Sequence, residues 1–176
     1  MNYSECIENA RTRIGNYCKA CPECNGRACK NQMPGPGAKG IGDTAIRNYD
    51  KWKEIRVQMD TIVENKPVDT SLELFGKKFL YPFFAGPVGA VGLHYGDCLD
   101  DVRYNDILVS ACAKYGIAAF TGDGLDSNVM VAATKAIGKT DGIGIPTVKP
   151  WNIDTVAEKM KMVQESKAFA VAMDVD

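Results

Sequence analysis

The sequence of 176 residues has a single histidine, almost no net charge and no long apolar run. The single histidine, His94, leaves no Ser/His or Cys/His catalytic pair to be argued, and 21 Lys plus Arg balance 22 Asp plus Glu. This balance excludes a generally basic protein that coats nucleic acid, and it offers nothing special to an anionic membrane. No apolar run approaches the roughly 20 residues that span a bilayer, and the polar N-terminus is unlike a secretory signal. We therefore expect a cytoplasmic protein without nucleic-acid or membrane partners.

Cysteine, in contrast, is abundant, and five of the seven cysteines fall within the first 29 residues. An odd number of cysteines in a chain without a secretory signal argues against a disulfide framework. Four of them form a C-x2-C-x2-C-x4-C run: Cys18, Cys21, Cys24 and Cys29.

The two-residue gaps of this run let successive thiolates converge on one centre, and Gly26 gives the last gap a turn. Four thiolates satisfy either zinc or an iron–sulfur cluster. The usual zinc site has a longer loop between two pairs, and the ferredoxin run has a proline after its last cysteine, so neither metal is favoured. The run predicts a metal site, with reduced thiols that pack a loop as the alternative.

The chain divides by composition into a cysteine-rich, irregular segment, 1–42, and a regular part, 43–176. In the regular part, Asp43 is a plausible cap for a helix over 44–56, followed by strands over 70–75 and 79–85 with a turn at Gly76-Lys77. After these, helices alternate with short apolar strands: helices over 102–115, 127–137 and 153–166, strands over 117–121, 142–148 and 168–175. This alternation is typical of βαβ units and a parallel sheet.

Four strand–helix units are half of an eight-unit barrel, which takes about 250 residues. A parallel sheet that ended at the last apolar strand would have an unpaired edge, which native proteins usually cover. We therefore expect a truncated chain that forms the N-terminal half of a TIM (β/α)8 barrel. An open doubly wound sheet is the alternative.

Glycine-rich or charged residues follow each predicted parallel strand, where barrels build their active sites. The loop after the first strand lets backbone approach a planar ligand, the next places Asp123 at the barrel mouth, and Lys149 could hold an anion. The alternatives are a tight loop, a helix cap at Asp123 and a solvated lysine. Asp174 lies within the last apolar strand, so we expect a buried carboxylate that needs a partner, either as a group that orients the site or in a structural ion pair. The candidate cofactor-binding residues are Gly86, Pro87, Val88, Gly89, Asp123, Gly124, Gly144 and Lys149.

In order and spacing, these segments resemble the N-terminal half of the FMN-dependent α-hydroxy-acid oxidising family, the glycolate oxidase and lactate oxidase barrels. The resemblance rests on the helix from Asp43, on Pro82-Phe-Phe-Ala-Gly-Pro-Val-Gly beside the family's P-x-x-x-A-P-T-A flavin loop, and on the run from Lys149 to Asp174. It covers about three-quarters of the chain. The cysteine segment resembles the N-terminus of an anaerobe-type branch of the same proteins.

The resemblance implies an FMN across the barrel mouth, a 2-hydroxy acid or related small molecule as substrate, and transfer of a hydride or its equivalent to flavin N5. Pro87, Val88 and Gly89 match the loop whose backbone meets the flavin ring, and Asp123 falls where the family has a flavin-contacting serine. Three polar family contacts are replaced here, a glutamine by Gly144, a tyrosine by Pro146 and a threonine by Ala172.

The family's catalytic histidine, its substrate-clamping arginines and its phosphate-binding loops lie on later strands. The catalytic residues are therefore unknown here, and we expect no 2-hydroxy-acid oxidation by these 176 residues alone. The full-length protein would be an FMN-dependent oxidoreductase, with homo-oligomer formation left open. A metal-binding module on a half-barrel scaffold without flavin chemistry is the alternative.

Overall fold

The computed structural model describes residues 2–29 and 43–175, so the stretch 34–42, which is rich in proline and glycine, lies outside the described residues. The chain divides into two compact units, Met1–Pro67 with Val91–Cys98, and Val68–Ala90 with Leu99–Asp176. Among the described residues, no helix has both the length and the apolar character needed to cross a membrane. The predicted division at residue 43 stays a prediction.

The described residues of the first unit form three helices: α1 (Tyr3–Arg11), α2 (Thr44–Trp52) and α3 (Val91–Tyr95). The sequence predicted only α2, and Asp43 precedes it without a side-chain capping bond. A capping box starts α1. The Asn2 side chain accepts a hydrogen bond from the Glu5 backbone N–H, and the Glu5 side chain accepts one from the Asn2 backbone N–H, each at 2.9 Å. His94 lies half-buried in α3.

The second unit opens with an antiparallel hairpin of β1 (Leu72–Leu74) and β2 (Lys77–Phe79), in which Leu72 pairs with Phe79. Its turn lies at Phe75 and Gly76, which both have positive φ, so Lys77 is already in the strand. The continuous strand predicted over 79–85 is wrong. β2 ends at Phe79, and of the later residues only Ala85 forms a parallel bridge, with Ala119.

Short parallel strands then alternate with helices, as the apolar pattern predicts. The order is α4 (Asp101–Lys114), β3 (Phe120–Thr121), α5 (Ser127–Lys139), β4 (Ile145–Val148), α6 (Ile153–Glu165) and β5 (Ala172–Met173). β4 pairs with both β3 and β5, so spatial order follows chain order. The result is a mixed α/β fold.

The core of this unit lies between the parallel strands and the helices α4 and α5. Its buried cluster is Val109, Cys112, Ala119, Ala136 and Ile137. All four residues of β4 are buried, as expected of a strand covered on both faces. The loops that follow each strand thus begin from a packed base of strands and helices.

Candidate functional site

Three loops meet at the carboxyl ends of the parallel strands. They are 86–89 after the Ala85 bridge, 122–124 after β3 and 149–151 after β4. Backbone contact joins the first two loops, and the Asp123 side chain joins the second to the third. The chain therefore gathers here most of the residues predicted to bind a cofactor.

Loop 86–89 lies directly against loop 122–124, with no side chain between them. A Cβ atom on Gly122 would collide with the backbone oxygen of Val88 and lie 2.8 Å from its carbonyl carbon. A Cβ on Gly89 would lie 3.2 Å from the backbone oxygen of Asp123. Glycine is therefore required at Gly122 for the two backbones to approach this closely.

Two other glycines of these loops border open space. A Cβ atom on Gly86 or Gly124 would meet no heavy atom of residues 2–29 and 43–175 within 4 Å. Pro87, next to Gly86, is exposed. The loops therefore present bare backbone on which a flat ligand could lie.

The Asp123 carboxylate lies at the centre of the site and is fully buried. Its Oδ2 accepts hydrogen bonds from the Lys149 backbone N–H at 2.9 Å and from Trp151 Nε1 at 2.7 Å. Its Oδ1 accepts from the Gly124 N–H at 2.8 Å and from the Lys159 ammonium group. The expectation that this side chain points into an open mouth is wrong, and the cap of α5 is Asp126, not Asp123.

Burial by itself would raise the pKa of Asp123, because it disfavours the charged form. The hydrogen bonds from Lys149, Lys159, Trp151 and Gly124 favour the carboxylate and outweigh burial, so the pKa is lowered. Asp123 is therefore ionised at neutral pH.

Lys149 and Asp174 form a second charged pair at the ends of β4 and β5. Lys149 Nζ lies 3.4 Å from Asp174 Oδ2, and the two side chains are 42% and 41% exposed. The prediction that Asp174 is buried is therefore wrong, whereas its predicted ion pair is confirmed. Lys149 carries an accessible positive charge beside the loops described above.

Gly144 does not join this group. It is buried at the start of β4, and a Cβ there would lie 2.5 Å from Cγ1 of Ile137 in α5. Lys149 follows the opposite end of the strand. Gly144 thus allows α5 to pack closely on β4, and its cofactor-binding role stays a prediction.

Sequence reasoning missed two residues of the site, Trp151 and Lys159. Trp151 follows Lys149 by two residues in the loop after β4, and Lys159 lies in α6. A signal for Lys159 was present, because it precedes the buried Val163 by four residues and so lies on the same face of the helix. A lysine on the buried face of a helix requires a partner, and Asp123 is that partner.

The cysteine run lies in the first unit. Within residues 2–29 and 43–175, no three His, Cys, Asp or Glu side chains are grouped so that they could hold a metal ion. The predicted metal site therefore has no support among the described residues. The thiols nevertheless influence one another, since burial, then Cys24 and Cys18, and to a lesser extent Cys21, raise the pKa of Cys29.

Comparison with known proteins places the second unit and part of the first in one family. The family model of the FMN-dependent dehydrogenases matches residues 35–176. A search of the curated proteins gives no match.

Proposed function

Because the chain belongs to the FMN-dependent dehydrogenase family, we propose that its three strand-end loops bind the isoalloxazine ring of FMN. Membership of the family implies FMN binding and oxidoreductase chemistry. We propose further that the substrate is a 2-hydroxy acid or a related small molecule, and that the parallel strands are four of the eight in a TIM barrel.

The open backbone at Gly86 and Gly124 is the observation that carries this proposal. A planar ring can lie on these loops because, in the part of the chain that the structure describes, a Cβ on either glycine would meet no heavy atom within 4 Å beyond its chain neighbours. Val88 and Gly122 fix the two loops to each other behind this surface. The residues present therefore fit a flavin ring that is held mainly through backbone contacts.

Lys149 supplies the charge that such a site needs. Bound FMN would accept a hydride or an equivalent electron pair from the substrate, and negative charge would build up on its ring. A half-exposed ammonium group beside the loops can stabilise that charge. Lys149 is thus a binding and electrostatic residue, and no catalytic base is assigned.

The barrel proposal rests on the order of the strands. Ala85, β3, β4 and β5 are neighbours in sequence order, all parallel, with α4, α5 and α6 as the connections. Consecutive parallel strands joined by helices are the arrangement of a TIM barrel, in which the loops at the carboxyl ends of the strands form the active site.

Titration with FMN, followed by quenching of flavin fluorescence, tests the proposed site. The change Gly124→Ala places a methyl group on the open face, and we expect it to weaken FMN binding about tenfold, a loss of ~1.4 kcal/mol. Gly138→Ala is the control, because a Cβ there would lie 3.9 Å from Ser166 in ordinary contact. Absence of FMN binding, or equal affinity in the two variants, would contradict the proposed site.

The substrate class is tested by anaerobic addition of glycolate or lactate to the FMN-loaded protein. Bleaching of the flavin absorbance by the complete gene product would support a 2-hydroxy acid. For these 176 residues alone we expect none, because the three loops contain no histidine to take a proton. Bleaching by the 176-residue chain would overturn this expectation.

A second proposal concerns the cysteine run, in which we infer a zinc or iron–sulfur site at Cys18, Cys21, Cys24 and Cys29. Cys18 Sγ accepts a hydrogen bond from the Ala20 N–H at 3.5 Å, and Ala20 has a φ of 44°. Hydrogen bonds to cysteine sulfur tune metal thiolates. Burial and then the neighbouring thiols Cys24 and Cys18 raise the pKa of Cys29, and a bound cation would relieve the repulsion between the thiolates.

The absorption spectrum and metal content of protein purified without oxygen test this second proposal. A broad absorption that bleaches with reductant indicates an iron–sulfur cluster, and stoichiometric zinc in a colourless protein indicates a zinc site. Cys29→Ser should remove the metal, whereas Cys98→Ser, at an exposed cysteine outside the run, should retain it. If neither the wild-type protein nor Cys98→Ser contains iron or zinc, the proposal is overturned.

A further inference from the structure

We propose that Asp123 is a positioning residue that fixes Lys149 at the ligand surface without touching the ligand through its own side chain. This inference rests on the proposed function, since it says which residue holds Lys149 in place within the same site. It differs from the role that the family resemblance implies for this position, which is a direct flavin contact.

The hydrogen-bonding capacity of the Asp123 carboxylate is already used within the chain. Two donors reach Oδ1, from Gly124 and Lys159, and two reach Oδ2, from Lys149 and Trp151. A carboxylate has about four acceptor positions, and this side chain is fully buried. No oxygen of it is left for a bound ligand.

The bonds to Oδ2 fix the backbone of the loop after β4. The Lys149 N–H and the Trp151 indole N–H bond to the same oxygen, and the Trp151 N–H donates to the Lys149 carbonyl at 2.8 Å. One carboxylate oxygen and one backbone bond thus hold both ends of the short turn 149–151. The Cα position of Lys149 is set by this turn.

Because Lys159 forms an ion pair with Asp123, Asp123 does not compete with Asp174 for the ammonium group of Lys149. Its ammonium group pairs with Oδ1 while almost completely buried, and it also lies 5.0 Å from the centroid of the Trp151 ring. Because Lys159 neutralises the charge of Asp123, the Lys149 ammonium group stays at the surface, 3.4 Å from Asp174 Oδ2. The backbone of Lys149 is therefore held by one aspartate and its side chain lies beside another.

A purely structural role of the Asp123 pair would change stability but not the local environment of the Lys149 amine. Reductive methylation with formaldehyde, quantified at each lysine by peptide mass spectrometry, measures that environment without FMN. We expect Asp123→Asn to speed the labelling of Lys149 about two- to fivefold, the factor for loss of a partly exposed ion pair. Asp174→Asn should have the same effect, and the double variant should add nothing further.

The matched control uses the exposed pair of Lys139 and Asp106, at 3.1 Å. Asp106→Asn should speed the labelling of Lys139 and leave Lys149 unchanged, and Asp123→Asn should leave Lys139 unchanged. If Asp123→Asn does not fold, Trp151→Phe removes one donor to Oδ2 and should give a smaller increase at Lys149.

Unchanged labelling of Lys149 in a folded Asp123→Asn or Trp151→Phe variant overturns the inference, and so does a general rise at every lysine. An FMN titration of the same samples separates this outcome from failure of the proposed function. Wild-type protein that binds no FMN contradicts the flavin site, whereas a selective change at Lys149 supports the positioning by Asp123 in either case.

Discussion

The ammonium group of Lys159 in α6 is ion-paired with the Asp123 carboxylate after β3, and the two side chains are only 8% and 0% exposed. Neither charge is solvated, so each depends on the other and on the hydrogen bonds around it. The pair joins a helix on the outside of the sheet to loops at the carboxyl ends of two strands.

Loss of one partner of this pair should be costly. We expect Lys159→Met to lower the free energy of unfolding by about 3–5 kcal/mol, because it leaves a buried carboxylate without its counter-charge. Lys139→Met is the control, since the exposed pair with Asp106 is worth at most about 1 kcal/mol. Urea denaturation measures both, and equal effects would contradict the importance of the buried pair.

Asp123 should also make stability depend on acid. Its pKa is lowered in the folded state, where hydrogen bonds outweigh the effect of burial, so its stabilising contribution is fully present above the ordinary value of 3.8. The contribution is lost as the pH falls below 3.8 and through the lower folded pKa. Denaturation curves across this range should show the loss in wild-type protein and in Asp106→Asn, and a smaller loss in Asp123→Asn.

Two glycines of one loop should differ in how strongly the same change lowers stability. Gly122→Ala should lower the free energy of unfolding by about 1–3 kcal/mol, because its methyl group collides with the Val88 backbone. Gly124→Ala should change it by less than about 0.5 kcal/mol, since its methyl group enters open space. Thermal or urea denaturation decides this, and similar values for the two variants would contradict the close backbone contact.

The thiol of Cys29 should react slowly in the metal-free protein. Burial and the neighbouring Cys24 and Cys18 raise its pKa, which lowers the fraction of reactive thiolate near neutral pH. Alkylation by iodoacetamide, followed by peptide mass spectrometry, should be slower at Cys29 than at the exposed Cys98. Cys24→Ser should speed the reaction at Cys29, and an unchanged rate would show that the thiols do not interact.

The helices of the second unit could be predicted closely because their signals are local. The predicted starts of 102, 127 and 153 compare with Asp101, Ser127 and Ile153 in the structure. Each helix follows a side chain that accepts from a backbone N–H of its first turn: Asp100, Asp126 and Asn152. Apolar spacing and capping residues are enough to fix such elements.

The strands were predicted in the right order but too long. The pattern over 79–85 is continuously apolar, yet β2 ends at Phe79 and only Ala85 pairs with the next strand. Strand pairing requires a partner distant in sequence, and apolar character alone does not say which residues find one.

The amino-acid pattern is enough to establish the family, the alternation of strands and helices, and the place of the glycine loops and Lys149 at the strand ends. The folded chain was needed to show that Asp123 turns inward to Lys159, that Gly144 packs beneath α5, and that Asp174 reaches the surface beside Lys149. Local patterns set which residues a helix or loop contains. The direction of a charged side chain depends on which buried partner the folded chain brings to it, because an unpaired charge cannot remain in the core.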